Sequence, residues 1–187
     1  MMPPMPRTAR VTTRTGDRGE TSLFGKDRVR KTDPRIDALG DLDEAQAALG
    51  VARATMRGRE KATVLELQRA LYVAMAEVAT PKRDLARLRA RIDASAVHEL
   101  DELVERLRKR ANVEGRFVVP GEDGASASLD LARTIARRAE RSVIRLVDAR
   151  TIAGEHLVPW LNRLSDVLFL LARVVEERPR AAKERVT

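Results

Sequence analysis

From residue 36 onward, apolar side chains recur every three or four positions over most of the chain, a spacing that predicts α-helices. One apolar stripe runs from Ile36 to about Met56 and a second from about Ala62 to Ala79, where Pro81 ends it. Three further helices are predicted. The third would be capped by Asp93 or Ser95 and end near Asn112, the fourth would be capped by Ser126 or Ser128 and end near Arg150, and the fifth would follow Gly154 and end near Arg178. Five helices joined by short connections predict an all-α, five-helix up-and-down bundle.

The chain of 187 residues has the length of a single domain. Residues 1–35 are irregular and rich in Pro, Gly, Thr and charge, residues 36–178 would form the bundle, and residues 179–187 would be a tail. The basic segment 82–92 has no clear periodicity. Aromatic residues make up only 3%, and unbranched side chains such as Ala, Leu, Arg and Glu favour helix over sheet.

Several classes of chemistry are excluded by the composition. The chain has no cysteine, and its two histidines, His98 and His156, lie far apart, so a thiolate or histidine metal centre and a Ser/His relay are not expected. No apolar run reaches membrane-spanning length, because Arg173 interrupts residues 167–175, and the first residues lack the apolar core of a signal peptide. We expect a cytoplasmic protein without a membrane partner.

The net charge of +8 is concentrated in two segments. Residues 1–31 hold eight cations and three anions, residues 129–150 hold six and three, and the remainder is balanced at 22 against 22. If the two segments meet in space they form an anion site, and otherwise they are two solvated basic surfaces.

The first basic segment contains a loop with phosphate-binding chemistry at residues 12–25. Gly16 and Gly19 allow positive φ or a close approach of the backbone to a ligand. Its side-chain donors are Thr13, Arg14, Thr15, Arg18, Thr21 and Ser22. The Walker A spacing is missing, and the alternative interpretation is an ordinary glycine-rich surface turn.

The predicted fourth helix separates an apolar arc from an arginine stripe. The arc, expected in the core, comprises Leu131, Ala132, Ile135, Ala136, Ala139, Val143, Leu146 and Val147. The opposite stripe contains Arg133, Arg137, Glu140 and Arg141, with Arg138 at its flank. Arginines four residues apart repel each other unless an anion lies between them, which favours binding of phosphate or carboxylate. A solvated helix face is the alternative.

The predicted fifth helix carries Asn162 and Asp166 on one face, continued by Phe169 and Arg173, although the helix is otherwise apolar. Polar groups on a largely buried helix need partners. Either a polar network in the core or a ligand site would supply them.

Four segments in order resemble the PduO-type ATP:corrinoid adenosyltransferases, a family that makes adenosylcobalamin. They are TRTGDRGETSLFG (13–25), KTDPRI (31–36) with GDLDE (40–44), RTIARRAER (133–141) and LNRLSDVLF (161–169). The segment FVVPG (117–121) precedes the arginine helix, as a similar Phe-containing segment does in that family. The resemblance covers roughly residues 10–176.

The resemblance implies a homotrimer of five-helix bundles with an active site at each subunit interface and the N-terminal loop around the ATP triphosphate. In this assignment Glu140 is the candidate metal ligand and Asn162 contacts the nucleotide. The residues assigned to ATP and its Mg²⁺ are Thr13, Arg14, Thr15, Gly16, Asp17, Arg18, Gly19, Thr21, Ser22, Lys31, Arg133, Arg137, Arg138 and Glu140. Asp43 would pair with an arginine of the neighbouring subunit, Arg133 being favoured, and Phe117 would lie under the corrin ring of cobalamin.

In the implied reaction, Co(I) of the reduced corrinoid attacks the 5′-carbon of ATP and triphosphate leaves. The nucleophile belongs to the corrinoid, so the protein needs no Cys, Ser or His nucleophile; it supplies positioning and stabilises the leaving group. Phe117 would displace the axial base of Co(II) and so raise its potential, unless it simply packs in the core. A corrinoid reductase and an adenosylcobalamin-dependent mutase or dehydratase are possible partners.

The sequence departs from the family pattern at Ala45, Gln46 and Ala47, at Glu122 and Asp123, and at Asp130, where histidine is frequent. Two other functions stay open at this point. One is a basic helical module for nucleic acid or another polyanion, although interleaved surface aromatics are lacking. The other is a degenerate member that binds ATP or adenosylcobalamin as a chaperone and catalyses weakly.

Overall fold

Five α-helices follow a short N-terminal hairpin in the computed structural model, which describes residues 14–24, 27–111, 113 and 117–176. The helices are α1 (Pro34–Ala54), α2 (Gly58–Ala79), α3 (Ala94–Arg108), α4 (Gly124–Asp148) and α5 (Leu157–Glu176). The strands are β1 (Glu20–Ser22) and β2 (Arg28–Arg30), and the basic segment after α2 contains a 3-10 helix, Lys82–Arg87. The predicted helical bundle is confirmed. Thr13 and the predicted tail lie outside the described residues.

The helices pack in an order that differs from their order in the chain. α1 lies between α2 and α4, and α5 lies between α4 and α3. Side-chain contacts give the directions: Asp41 in α1 meets Ser142 in α4, whereas Arg35, earlier in α1, meets the carbonyl of Thr151, beyond the end of α4. These two helices are therefore antiparallel, as an up-and-down bundle requires. None of the helices in the described part is long and apolar enough to cross a membrane.

Aspartate side chains cap the N-terminal ends of α1 and α3. Asp33 accepts a hydrogen bond from the backbone N–H of Arg35 (2.8 Å), and Pro34 occupies the first turn of α1, where its missing N–H costs nothing. Asp93 accepts from the N–H of Ala96 (2.9 Å) and caps α3, one of the two predicted alternatives.

The cap of α4 was predicted wrongly. Asp123 is the N-cap, and its carboxylate accepts from the backbone N–H groups of Ala125 (2.7 Å) and Ser126 (3.0 Å). The hydroxyl of Ser126 accepts in return from the N–H of Asp123 (3.3 Å), which completes a capping box. Asp, Ser and Ser at 123, 126 and 128 are all good caps, so residue type alone does not identify the boundary.

Other boundaries shift by a few residues. α3 ends at Arg108 rather than near Asn112, and α5 begins at Leu157. The hairpin was not predicted, because three-residue strands carry too little alternation to be recognised. Leu131, expected in the core, is exposed, since it lies at the border of the apolar arc where neither α1 nor α5 covers α4.

Candidate active site

Three of the arginines predicted to bind ATP lie on α4, and their surroundings differ. Arg137 is exposed and, among the described residues, has no ion-pair partner; its carbonyl accepts a hydrogen bond from Arg141 (3.0 Å). Arg133 keeps 28% side-chain exposure while its Nε is buried, 3.9 Å from Oδ1 of Asp130. An exposed guanidinium that is not neutralised within the chain can bind an anion, so Arg137 is the most available of the three.

Arg138 is held by two carboxylates of α1. Its Nε donates to Asp41 (3.1 Å) and its Nη2 to Glu44, and these bonds, that to Glu44 first, raise the pKa of the guanidinium above its usual value. Ser142 donates to the second oxygen of Asp41. Arg138 therefore joins α4 to α1, and its predicted contact with ATP stays a prediction.

Glu140 does not lie on the exposed stripe where it was predicted. It is only 8% exposed and faces α5, where its Oε1 accepts from the side-chain nitrogen of Asn162 (3.1 Å). On a helical projection Glu140 lies about 20° from Arg133, at the border of the apolar arc, and α5 covers that border. The predicted metal ligand and the predicted nucleotide ligand are thus brought together.

Asn162 is linked further to α3. Its Oδ1 accepts from Nη1 of Arg163 (3.0 Å), and Nε of Arg163 donates to Oδ1 of Asp101 (2.7 Å). Asp166, which was predicted to share the face of Asn162, is exposed.

The described part of the N-terminal loop is a turn that leads into the hairpin. Gly19 has φ +78°, and its N–H donates to the carbonyl of Gly16 (3.1 Å), while the backbone N–H of Lys31 donates to the carbonyl of Gly19 (2.8 Å). A side chain at residue 16 would place its Cβ 3.1 Å from Nζ of Lys31, so the glycine lets the lysine lie directly against the turn. The loop therefore has the glycine-dependent geometry expected from its sequence, with one of its predicted phosphate ligands beside it.

The loop is anchored away from the arginine stripe of its own chain. The N–H of Phe24 donates to the carbonyl of Ala79 at the end of α2 (3.0 Å), and Arg83 pairs with Asp27. The loop leads directly into α1, whose first turn lies beside the C-terminal end of α4, and about 15 Å of helix separates that end from Arg137 at 1.5 Å per residue.

Two further predicted residues are exposed. Asp43 lies on α1, between Asp41 and Glu44 in the sequence, and it makes none of the described ion pairs. Phe117 is fully exposed, as is most of Val119, so the interpretation that Phe117 packs in the core is wrong. An exposed aromatic ring on a loop is available to a ligand or to another subunit.

A buried ion pair was not predicted. Nη2 of Arg173 in α5 lies 2.5 Å from Oδ2 of Asp130 in α4, and both residues are only 4% exposed. Glu176 lies 3.0 Å from the same nitrogen, and the Arg173 guanidinium lies over the ring of Phe169, 5.4 Å from its centroid. Asp130 therefore contacts Arg173 directly and Arg133 more distantly.

The family model described as "Cobalamin adenosyltransferase" matches residues 11–175. That span contains the loop, the arginine stripe and the α4–α5 contacts. The chain belongs to the cobalamin adenosyltransferase family.

Relatives that share this family match nearly the whole length of the chain. A corrinoid adenosyltransferase of Citrobacter freundii is 40% identical over 91% of this chain and 97% of its own, and one of Mycobacterium leprae is 40% identical over 88% and 90%. Among solved structures, a variant PduO-type ATP:corrinoid adenosyltransferase from Lactobacillus reuteri complexed with cobalamin and ATP superposes with a TM-score of 0.80 at 28% identity, covering 89% of this chain and 93% of that one.

Within one chain, the predicted site is divided. Glu140 and Asn162 are in contact and Arg133 and Arg137 lie one turn apart, whereas the loop is anchored elsewhere. A surface cavity of 230 Å³ lies between α2, α3 and α5, and no predicted site residue lines it. Among the residues described, no group of three or more His, Cys, Asp or Glu side chains could hold a metal ion.

Proposed function

We propose that the protein transfers the 5′-deoxyadenosyl group of ATP to the cobalt of a reduced corrinoid. A cobalt–carbon bond forms, the bond between C5′ and the triphosphate oxygen breaks, and triphosphate leaves with the electron pair. Membership of the cobalamin adenosyltransferase family carries this proposal. It agrees with a chain that has no cysteine, because the attacking electron pair comes from the corrinoid substrate.

Arg137 and Arg133 would bind the triphosphate. The leaving group gains negative charge as the bond to C5′ breaks, and a preorganised guanidinium stabilises that charge without reorganisation. Arg137 is exposed without an ion-pair partner among the described residues, which supports this assignment. Arg138 would act chiefly by holding α4 against α1, because two carboxylates already engage it.

Mg²⁺ would be held by ATP and Glu140 rather than by a protein cage. This ion commonly binds through one or two carboxylates, phosphate oxygens and water, so a single carboxylate fits. The side chain of Asn162 donates a hydrogen bond to Oε1 of Glu140, and the second oxygen of this carboxylate would bind the ion. Asn162 would contact the nucleotide next to this ion.

The complete site would lie between subunits. In one chain the N-terminal loop leads to the C-terminal end of α4, whereas Arg137 lies nearer the middle of that helix. A second copy could place its loop, with Gly16, Gly19, Lys31 and the other predicted loop ligands, over the arginine stripe. Asp43 would pair with Arg133 across this interface, in a homotrimer. The cytoplasmic location, the reductase and the adenosylcobalamin-dependent partner enzyme stay predictions of the sequence.

The test is an anaerobic assay with ATP, Mg²⁺ and chemically reduced cobalamin. We expect the Co(I) absorbance to decay as the cobalt–carbon bond forms, with one intact triphosphate released per adenosylcobalamin. Release of single phosphates without a corrinoid change would instead indicate an ATPase, and tight binding of RNA without turnover would favour the polyanion-binding alternative. Either result would overturn the proposal.

Phe117→Ala should impair the reaction that starts from Co(II) far more than the reaction that starts from Co(I). The Phe117 contact that displaces the axial base should contribute roughly 1.5–3 kcal/mol, so its loss should lower the rate of the reaction from Co(II) by about 10- to 100-fold. The unfolding midpoint should not change, because the ring is exposed. Val119→Ala, on the same loop, is the matched control, and equal losses with Co(II) and Co(I) would reject the axial role of Phe117.

A further inference from the structure

We infer that Arg163 is a positioning residue that fixes the orientation of the Asn162 amide and, through it, the Glu140 carboxylate. The inference rests on the proposed function, in which Asn162 and Glu140 bind the nucleotide and its Mg²⁺. Arg163 belongs to α5 and lies one residue beyond Asn162, and its guanidinium bonds both to Asn162 and to Asp101 of α3.

The chemistry of the three groups permits only one amide orientation. An arginine side chain has donors and no acceptor, so the group of Asn162 that faces Arg163 must be the carbonyl oxygen, Oδ1. An ionised carboxylate only accepts, so the group that faces Glu140 must be the NH₂. Both distances, 3.0 Å to Arg163 and 3.1 Å to Glu140, are those of ordinary hydrogen bonds.

Without Arg163, the amide would keep only one of the two contacts that fix its orientation, the bond from its NH₂ to Glu140. A rotation of 180° would turn Oδ1 toward Oε1 of Glu140, placing two acceptors against each other. Because Glu140 is only 8% exposed, water compensates poorly for that repulsion. The amide would therefore keep its NH₂ toward Glu140 but would be held at that end alone, so both the amide and the carboxylate that is the predicted Mg²⁺ ligand would be less firmly positioned.

Arg163 is itself held in place from another helix. Its Nε donates to Oδ1 of Asp101 at 2.7 Å, a charge-assisted bond that restrains a long side chain. Neighbouring side chains on a helix normally point in different directions, and the bond to α3 fixes the guanidinium where it can reach Asn162. The chain of contacts therefore runs from Asp101 through Arg163 and Asn162 to Glu140.

The test compares Arg163→Met, which keeps a linear apolar stem and removes every donor, with Arg163→Lys and Asp101→Asn. The half-saturating concentrations of ATP and Mg²⁺ should rise about tenfold in Arg163→Met, as expected when a hydrogen bond to a charged group is lost. Arg163→Lys should recover part of the loss, and Asp101→Asn should cause a smaller rise. The unfolding midpoints should stay near that of the wild type, because Arg163 is partly exposed.

Arg108→Met is the matched control, because it removes only an exposed ion pair with Glu105 within α3 (2.8 Å). Calorimetric binding of ATP with Mg²⁺ gives a readout that does not need turnover, so failure of adenosyl transfer in the wild type would reject the proposed function alone. The side-chain NH₂ signals of Asn162 in ¹⁵N NMR should be distinct and protected from exchange in the wild type and lose protection in Arg163→Met. Binding constants within twofold of the wild type, or an unchanged NH₂ signal, would overturn the positioning role.

Discussion

Replacing Arg137 with alanine should lower the rate of adenosyl transfer by about 10²- to 10³-fold, the loss typical of removing one preorganised donor to a developing negative charge. The fold should be unaffected, because Arg137 is exposed and has no ion-pair partner among the described residues. Arg137→Lys should recover only part of the rate, since an ammonium group keeps the charge but not the planar fork that binds two phosphate oxygens. The measurements are single-turnover kinetics with pre-reduced cobalamin and the far-ultraviolet helix signal.

Arg141→Ala is the control for Arg137. Arg141 lies one turn further along the same exposed face, and within the described part of the chain its side chain donates to the backbone carbonyl of Arg137 (3.0 Å). It is not assigned to ATP, so its loss should change the rate by less than about threefold, as for other exposed charges. Equal losses in both variants would mean that the stripe acts only through its general charge, and a fully active Arg137→Ala would place the site elsewhere.

Mixing two inactive variants would show whether one active site contains residues from two subunits. Lys31→Ala should damage the loop and Arg137→Ala the stripe. If the loop of one subunit covers the stripe of the next, some interfaces of a mixed trimer contain two intact halves, and activity should return after unfolding and joint refolding. No recovery, despite mixed trimers detected by native mass spectrometry, would contradict a shared site.

The helices could be predicted because their apolar periodicity is long, whereas caps and edges depend on tertiary context. Asp123 and Ser126 both suit a helix start, and only the backbone geometry assigns one to the cap and the other to the capping box. Glu140 lies at the border of the apolar arc, so its burial depends on the position of α5, which no spacing within α4 reveals.

The partners of the candidate site residues within the chain could not be predicted from the sequence. Arg137 and Arg138 look equivalent in the sequence, but Asp41 and Glu44, more than 90 residues away in the chain, bind Arg138 and not Arg137. The distribution of charge identifies two basic segments. It does not reveal that, within one chain, the N-terminal loop is anchored away from the arginine stripe of α4. In the sequence, the only local indication of the pair between Asp130 and Arg173 is the charge of Arg173 in an otherwise apolar helix.

The buried pair of Asp130 and Arg173 should contribute strongly to stability. Asp130→Asn should lower the free energy of unfolding by about 3 kcal/mol, because removal of one partner leaves a buried charge poorly compensated. The loss should fall at the lower end of the usual range, since Glu176 still lies 3.0 Å from Arg173. Urea unfolding followed by circular dichroism gives the value.

A double variant, Asp130→Asn with Arg173→Met, separates the pair from its surroundings. Replacing both charges removes the desolvation cost together with the attraction, so the double variant should be more stable than Asp130→Asn alone. Glu66→Gln is the surface control: its ion pair with Arg69 (2.7 Å) is exposed on both sides and should contribute less than about 1 kcal/mol. If the single and double variants lose equal stability, Arg173 is not left uncompensated when Asp130 is removed, and the pair acts through packing alone.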